Sequence, residues 1–373
     1  MRGFSLENYE IDFDVIFFLV TLSLMVMGSV MIFSSSYFVS KELCGNGIAL
    51  TQKHLIHVVL GICMMLLVMS IDYRRFRSRP LVLIALLGGI SALVLCFVPG
   101  IGKTAGHACR WVKIASFSFQ ASEAIKIALI LYMSYFLSKQ SKDIRTFSSG
   151  ILPVFIIVGI SCLLIFLEPD FGTAATLGIW ALIVLFLAGM RVKHLALTIL
   201  PAIPLGIGLM LLEPYRRARL TAFINPWDDM LGVGYQIIQS MVAFANGGLL
   251  GSGLGEGTQK LFFLPAPHTD FILSVAGEEL GFIGIVVIVT LFGLWIWRGF
   301  SIALATNDSF GFYLVITSVC LVGLQALINM GVSMSALPTT GIALPFFSYG
   351  GSTLLTTMVI SGVILSVSRR ARL

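Results

Sequence analysis

The sequence predicts an all-α integral membrane protein: a polytopic bundle of about ten transmembrane helices with one long extracytoplasmic loop, in a single domain over residues 1–373. Three observations carry that prediction. Of the 373 residues, 57% are hydrophobic and only 11% are charged, where soluble domains carry about 25% charge. Apolar runs of roughly 20 residues, the length that crosses a bilayer as a helix, recur along the whole chain. About ten such runs use about 200 residues, which leaves no stretch long enough for a separate globular domain.

In chain order the spans fall near 13–33, 54–71, 81–98, 121–138, 151–167, 173–190, 195–212, 271–297, 311–334 and 351–367. The first run is too long for a secretory signal core and lacks an Ala-x-Ala site, so it reads as an uncleaved helix. Ten spans put both termini on one side. That side carries Arg2, Arg74, Arg75, Arg77, Arg79, Lys139, Lys142, Arg145, Arg191, Lys193, Arg298, Arg369, Arg370 and Arg372, whereas the short loops opposite carry only Lys41, Lys53, Lys103, Arg110 and Lys113. The positive-inside rule makes the first side, and both termini, cytoplasmic. The net charge of +6 therefore reports topology and not a nucleic-acid partner. Residues 213–270 form the long outer loop, with Arg216, Arg217, Arg219 and Lys260, and a long outward loop is where function is expected.

Several motifs look like chemistry and fail. Gly102-Lys-Thr104 ends like a phosphate-binding loop, but Phe97 stands where the pattern needs glycine. The run Gly247-Gly-Leu-Leu-Gly-Ser-Gly-Leu-Gly-Glu-Gly257 follows no predicted strand, so it reads as backbone that must bend or approach another surface closely. His54 and His57 share a helix face without a third ligand, which favours an interfacial polar face over a metal pair. Cys44, Cys63, Cys96, Cys109, Cys162 and Cys320 have no ligand spacing and read as packing residues.

Ionisable groups within or at the ends of spans are expensive, so each needs a partner or a task. Glu123 and Lys126 lie three residues apart on one helix face, and a structural ion pair explains them as well as a substrate role. Arg110 beside Trp111 is suited to clamp an anionic headgroup, with interfacial anchoring by Trp111 the alternative. In Glu168-Pro-Asp-Phe-Gly-Thr173, helix capping by Asp170 or Thr173 is the simpler account. Tyr215-Arg-Arg-Ala-Arg219 places cations at the outer boundary, for phosphate, for lipid headgroups or for solvent. Asp270 precedes the eighth span, with Glu278 about 12 Å deeper, so that helix is expected to face a polar interior. On spacing alone Asp270 is equally a helix cap and a catalyst.

The chain resembles the SEDS family (shape, elongation, division and sporulation) over nearly its whole length. The resemblance rests on Arg110-Trp-Val, Gln120-Ala-Ser-Glu-Ala-Ile-Lys126, Glu168-Pro-Asp-Phe-Gly-Thr173, Gly234-Tyr-Gln236, Gly253-Leu-Gly255, Leu264-Pro-Ala-Pro-His-Thr-Asp-Phe271, Gly277-Glu-Glu-Leu-Gly281 and Pro345-Phe-Phe-Ser-Tyr-Gly-Gly-Ser352. Arg219-Leu-Thr-Ala-Phe-Ile-Asn-Pro-Trp-Asp228, Gln259-Lys-Leu261, Asn329-Met-Gly-Val332 and Leu337-Pro-Thr-Thr-Gly-Ile342 look like its division branch more than its elongation branch. The resemblance implies ten transmembrane helices and polymerisation of lipid II into glycan strands outside the inner membrane. Its implied partners are a class B penicillin-binding protein and other division proteins, with the septum as the site of action. It also implies that Asp270 is catalytic and that Arg110, Trp111, Glu123 and Lys126 matter, with His268 and Thr269 completing the motif. Ala266 departs from the family, which often has glutamate there.

Given that substrate, transfer from an α-linked lipid pyrophosphate to a β-1,4 product needs one inverting displacement and one general base, Asp270. Arg110 and Lys126 are the first choices to stabilise the pyrophosphate, with Arg217 and Arg219 behind them. A divalent cation, Mg or Mn, is a further possible contributor. Glu123 then orients Lys126 or Arg110. Two other readings stay open: a lipid II flippase, and a non-catalytic scaffold that recruits the transpeptidase.

Overall fold

The computed structural model describes residues 12–105, 108–114, 117–139, 144–261 and 263–371. Arg2, Lys142 and Arg372, and the side chains of Lys103 and Cys109, lie outside the described residues. Ten apolar helices form the bundle: α1 (Val15–Cys44), α2 (Ala49–Ser70), α3 (Arg79–Leu95), α4 (Ala121–Lys139), α5 (Leu152–Leu167), α6 (Phe171–Leu187), α7 (Val192–Leu212), α10 (Ile272–Leu304), α11 (Ser309–Ser333) and α12 (Gly351–Ser368). Each covers one of the ten expected spans, although α1 runs eleven residues beyond its expected end, to Cys44. Eight candidate spans are long and apolar enough to cross a membrane. The shorter α3 and α6 have 17 residues each, a rise of about 26 Å against a hydrocarbon core of about 30 Å.

Local chemistry sets the ends. Asp14, Asp170 and Asp308 cap α1, α6 and α11 by accepting from Phe17, Thr173 and Gly311 main-chain N–H groups, which would otherwise have no partner. Gly45 ends α1 at φ 67°, a conformation that glycine adopts without the Cβ penalty.

In a membrane, helices associate through close packing and buried polar contacts because lipid is as apolar as their side chains. Small residues supply the packing. A Cβ at Gly362 of α12 would lie 2.6 Å from the Met65 carbonyl of α2, so only glycine permits this approach. Ser134 meets Thr317 at 3.0 Å, the Trp180 indole donates to the Thr317 carbonyl at 2.8 Å, and the Trp295 indole donates to Thr21 at 3.1 Å.

The start of α1 and the end of α12 lie at one end of the bundle, as an even number of crossings requires. The Asp14 main-chain N–H donates to Ser368 Oγ at 3.1 Å, and Arg298 pairs with Asp14 at 2.7 Å. Arg370–Asp72 at 2.8 Å and Arg77–Asp308 at 3.6 Å lie among the same segments. Several cations that read only as topology markers therefore also join helices.

Two features depart from the expected outline. Between α3 and α4 the chain forms a small antiparallel sheet of order β1-β2-β3, with β1 (Gly102–Ala105), β2 (Ala108–Ile114) and β3 (Phe117–Gln120). Strands this short carry little periodicity to read. The long loop also contains two helices, α8 (Pro214–Ile224) and α9 (Gly234–Gly247).

The glycine-rich run that follows α9 docks into a break in α10 at Gly281, where φ is 68°. Ser252 and Gly253 N–H groups donate to the Glu278 and Glu279 carbonyls at 2.9 and 3.1 Å, and Phe282 N–H donates to Gly248 at 2.9 Å. A Cβ on Gly251 would lie 2.2 Å from the Glu279 carbonyl oxygen, so this is the close approach that the sequence suggested. The polar interior expected at Glu278 and Glu279 takes a different form. Glu278 accepts from the Thr258 hydroxyl and the Thr258 and Gln259 N–H groups at 2.9–3.0 Å. Glu279 pairs with Lys260 at 2.6 Å and accepts from Ser34 at 2.6 Å. The loop itself uses both carboxylates.

Candidate functional site

The His268-Thr-Asp270 motif is held by its backbone. The His268 carbonyl accepts from Tyr349 N–H at 2.8 Å, that of Thr269 from the Ser348 hydroxyl at 2.6 Å, and that of Asp270 from the Asn329 amide at 3.0 Å. Asn329 also donates to the Ile342 carbonyl at 2.8 Å, which ties α11 to the segment before α12. These bonds leave the Asp270 carboxylate uncommitted. Helix α10 starts at Ile272 with Phe271 in the capping position and no side-chain cap, so the cap reading of Asp270 is overturned. Among the described residues none donates a hydrogen bond to that carboxylate. Burial pushes its pKa above the ordinary carboxylate range, Arg219 and then Arg110 oppose the rise, and Asp170 adds to it.

Arg110 reaches this cluster from β2. Its guanidinium donates to the Pro169 carbonyl at 2.9 Å and lies 3.5 Å from Asp170. Asp170 thus does two jobs, as the cap of α6 and as the partner of Arg110. Arg219 on α8 donates to the Thr339 carbonyl at 3.1 Å, and two residues later a Cβ on Gly341 would lie 3.9 Å from Asp270 Oδ2. Arg217, named with Arg219 from the sequence, is exposed and is not among the charges acting on Asp270. Trp111 sits half-buried in β2 opposite Gln120.

Glu123 and Lys126 form a buried ion pair at 2.7 Å, and Thr353 of α12 donates to Glu123 at 3.1 Å. Glu123 therefore orients Lys126 and not Arg110, whose guanidinium is taken by the turn between α5 and α6. Lys126 is not among the charges acting on Asp270, so the structure groups Arg110 with Arg219 instead. His268 packs edge-on to Tyr349 at 5.6 Å, and burial pushes its pKa down, favouring neutral imidazole. The Thr269 hydroxyl turns back to the Ala266 carbonyl at 3.3 Å. Asn329 counted in the sequence only as part of the division-branch resemblance; its role in anchoring the Asp270 backbone was missed, although a carboxamide inside an apolar span was a usable signal.

Glu168 is a buried acid beside this cluster, 1% exposed. Burial pushes its pKa up to about 8, the Cys96 thiol lowers it, Asp170 raises it further and Arg110 lowers it. A carboxyl whose folded pKa lies above its unfolded value contributes stability that is whole below about pH 4 and is lost as pH rises toward the folded value. Glu168→Gln, isosteric with the neutral acid, is expected to flatten the fall of melting temperature between about pH 5 and 9. An unchanged pH slope would contradict a neutral Glu168.

Two apolar grooves lie elsewhere, one of about 380 Å³ beside Phe244 and Phe282 and one of about 560 Å³ beside Phe155 and Leu197. Neither is lined by Asp270, Arg110 or Arg219. Converging charge, and not either of these grooves, marks the site.

The profile of the cell cycle protein family that groups FtsW, RodA and SpoVE matches residues 14–373. The probable peptidoglycan glycosyltransferase FtsW of Geobacter metallireducens is 42% identical over 371 residues, covering 99% of this chain and 98% of its own. Stage V sporulation protein E of Bacillus subtilis is 37% identical over 359 residues, covering 96% and 98%. A solved chain from work on the structural coordination of polymerization and crosslinking by a peptidoglycan synthase complex superposes with a TM-score of 0.80 at 26% identity, over 96% of this chain and 98% of that one. The rod shape determining protein RodA of Thermus thermophilus gives 0.69 at 25% identity, over 98% and 99%. With a family match over nearly its full length and relatives above 40% identity, the chain belongs to the SEDS family of multi-pass membrane proteins, on its FtsW-like side.

Proposed function

We propose that this protein is a peptidoglycan glycosyltransferase that polymerises lipid II during cell division, with Asp270 as the general base. One observation carries the reading: an aspartate at the head of a membrane helix that caps nothing and feels the charge of two cations, Arg219 and Arg110. The acceptor 4-hydroxyl oxygen attacks the donor anomeric carbon from the face opposite the lipid pyrophosphate. Its proton passes to Asp270, the bond from that carbon to the phosphate oxygen breaks, and the electron pair leaves with the pyrophosphate. The α linkage becomes β in this single inversion. A base is most effective when its pKa approaches the working pH, which burial of Asp270 favours while Arg219 and Arg110 keep it ionisable.

Arg110 and Arg219 supply the positive field for the departing pyrophosphate. A divalent cation, Mg or Mn, would add positive charge for the departing pyrophosphate beside Arg110 and Arg219; among the described residues no group of three or more His, Cys, Asp or Glu side chains is placed to hold one. The partner is a class B penicillin-binding protein working with other division proteins, at the septum of the inner membrane, with both termini cytoplasmic. The test is polymerisation of lipid II by the purified protein in detergent, alone and with its transpeptidase. Transport without polymerisation would support the flippase reading, and activity from the partner alone would support the scaffold.

A first expected result concerns Arg110. Arg110→Ala should raise the lipid II concentration for half-maximal rate about ten- to a hundredfold, the loss of one charge-assisted contact. Steady-state rates checked against melting temperature would test this. Unchanged lipid II dependence would exclude the clamp.

A further inference from the structure

Helix α7 is tied weakly to the bundle. None of its 21 residues is buried, and Pro201 and Pro204 interrupt its hydrogen-bond ladder. The placement of α8, which follows directly, must therefore come largely from its own contacts. The Arg216 guanidinium lies 4.4 Å from the Phe166 ring and 5.8 Å from the Phe171 ring. Those rings stand on the last turn of α5 and the first residue of α6, so the cation bridges both sides of the Glu168–Asp170 turn. The same guanidinium donates to the Leu209 carbonyl at 3.5 Å, which joins α7 to α8.

Arg219 follows three residues later, on the same face of α8. It stacks on Tyr215 at 4.5 Å, bonds the Tyr215 hydroxyl, and donates to the Thr339 carbonyl, two residues before Gly341, where a Cβ would lie 3.9 Å from Asp270 Oδ2. We propose that Arg216 is a positioning residue: clamped between Phe166 and Phe171, it sets α8 on the α5–α6 turn and so holds Arg219 on the Thr339 carbonyl, from where its charge acts on Asp270. The same turn grips Arg110 through Pro169 and Asp170, so one clamp aligns both cations of the site. This role rests on the reading of Asp270 as the base.

The charged groups that face Asp270 are Arg219 from α8, Arg110 from β2 and Asp170 from the α5–α6 turn. Displacing α8 withdraws Arg219 from that set. The carboxylate is then protonated at higher pH, and the acid limb of the rate profile moves upward.

The experiment measures lipid II polymerisation by the full chain with its transpeptidase, from about pH 5 to 9. The variants are Arg216→Ala, Phe166→Leu, Arg219→Ala, the Arg216/Arg219 double variant and Asp270→Asn. Arg216→Ala should raise the acid limb by about one unit. Phe166→Leu should shift it less in the same direction, Arg219→Ala should reproduce the full shift, and adding Arg216→Ala to Arg219→Ala should add nothing. If Arg216→Ala fails to fold, Phe166→Leu carries the test. A lower rate with an unmoved acid limb is what a merely structural role produces, and it overturns the proposal. So does a further shift in the double variant. An active Asp270→Asn protein removes the base reading and this proposal with it, whereas an inactive one together with an unmoved acid limb in Arg216→Ala removes only the role of Arg216.

Discussion

Asp270→Asn is expected to slow lipid II polymerisation by about 10²- to 10⁴-fold, the usual worth of a positioned general base. Asparagine keeps the size and planarity of the side chain but cannot take the acceptor proton. Folding should be spared for a structural reason: the motif is fixed by the carbonyls of His268, Thr269 and Asp270, and the carboxylate neither caps α10 nor accepts a bond from a described residue. Melting temperature and membrane insertion should therefore match the unmutated protein. Polymerisation by purified Asp270→Asn at the unmutated rate would sink the assignment. Loss of activity together with a collapse of folding would return Asp270 to a structural role.

The second large effect concerns stability. Lys260 is 2% exposed and its ammonium is shared among Glu279 at 2.6 Å, Ser34 at 2.8 Å and the Gly255 carbonyl at 2.7 Å. Glu279 also accepts from the Gly255 N–H at 3.1 Å. Lys260 thus pins the loop between α7 and α10 to both α1 and the break in α10. Removing one member of a buried pair leaves the other charge unsatisfied, at a cost of about 3–5 kcal/mol. Lys260→Met should therefore lower the melting temperature sharply, and so should Glu279→Leu. The double replacement should recover much of the loss because no charge is then left without a partner. A double variant as unstable as the sum of its singles would show that each residue acts independently of the pair.

The ten spans were legible in the sequence because each is a local property: an apolar run has to be a helix if it is to cross lipid. The glycine-rich run was legible for a similar reason, since so many glycines signal a chain that something else approaches closely. Asp170 was half-legible; its spacing announced the cap, but its pairing with Arg110 depends on β2 lying against the α5–α6 turn. The Glu123–Lys126 pair was legible from its three-residue spacing, but the Thr353 hydroxyl of α12 that donates to Glu123 was not, because it comes from a distant helix. The three-stranded sheet escaped notice because short strands leave no periodic signature.

By itself, then, the sequence determined that this is a ten-span helical membrane protein with acids and bases gathered at one rim, since the cost of placing polar groups in hydrocarbon is paid residue by residue. Only the tertiary structure decided which charges meet. Arg110 goes to Asp170, Lys126 to Glu123, Lys260 to Glu279 and Arg219 to the neighbourhood of Asp270, because electrostatic partnership depends on distance in space between segments that lie up to hundreds of residues apart in the chain.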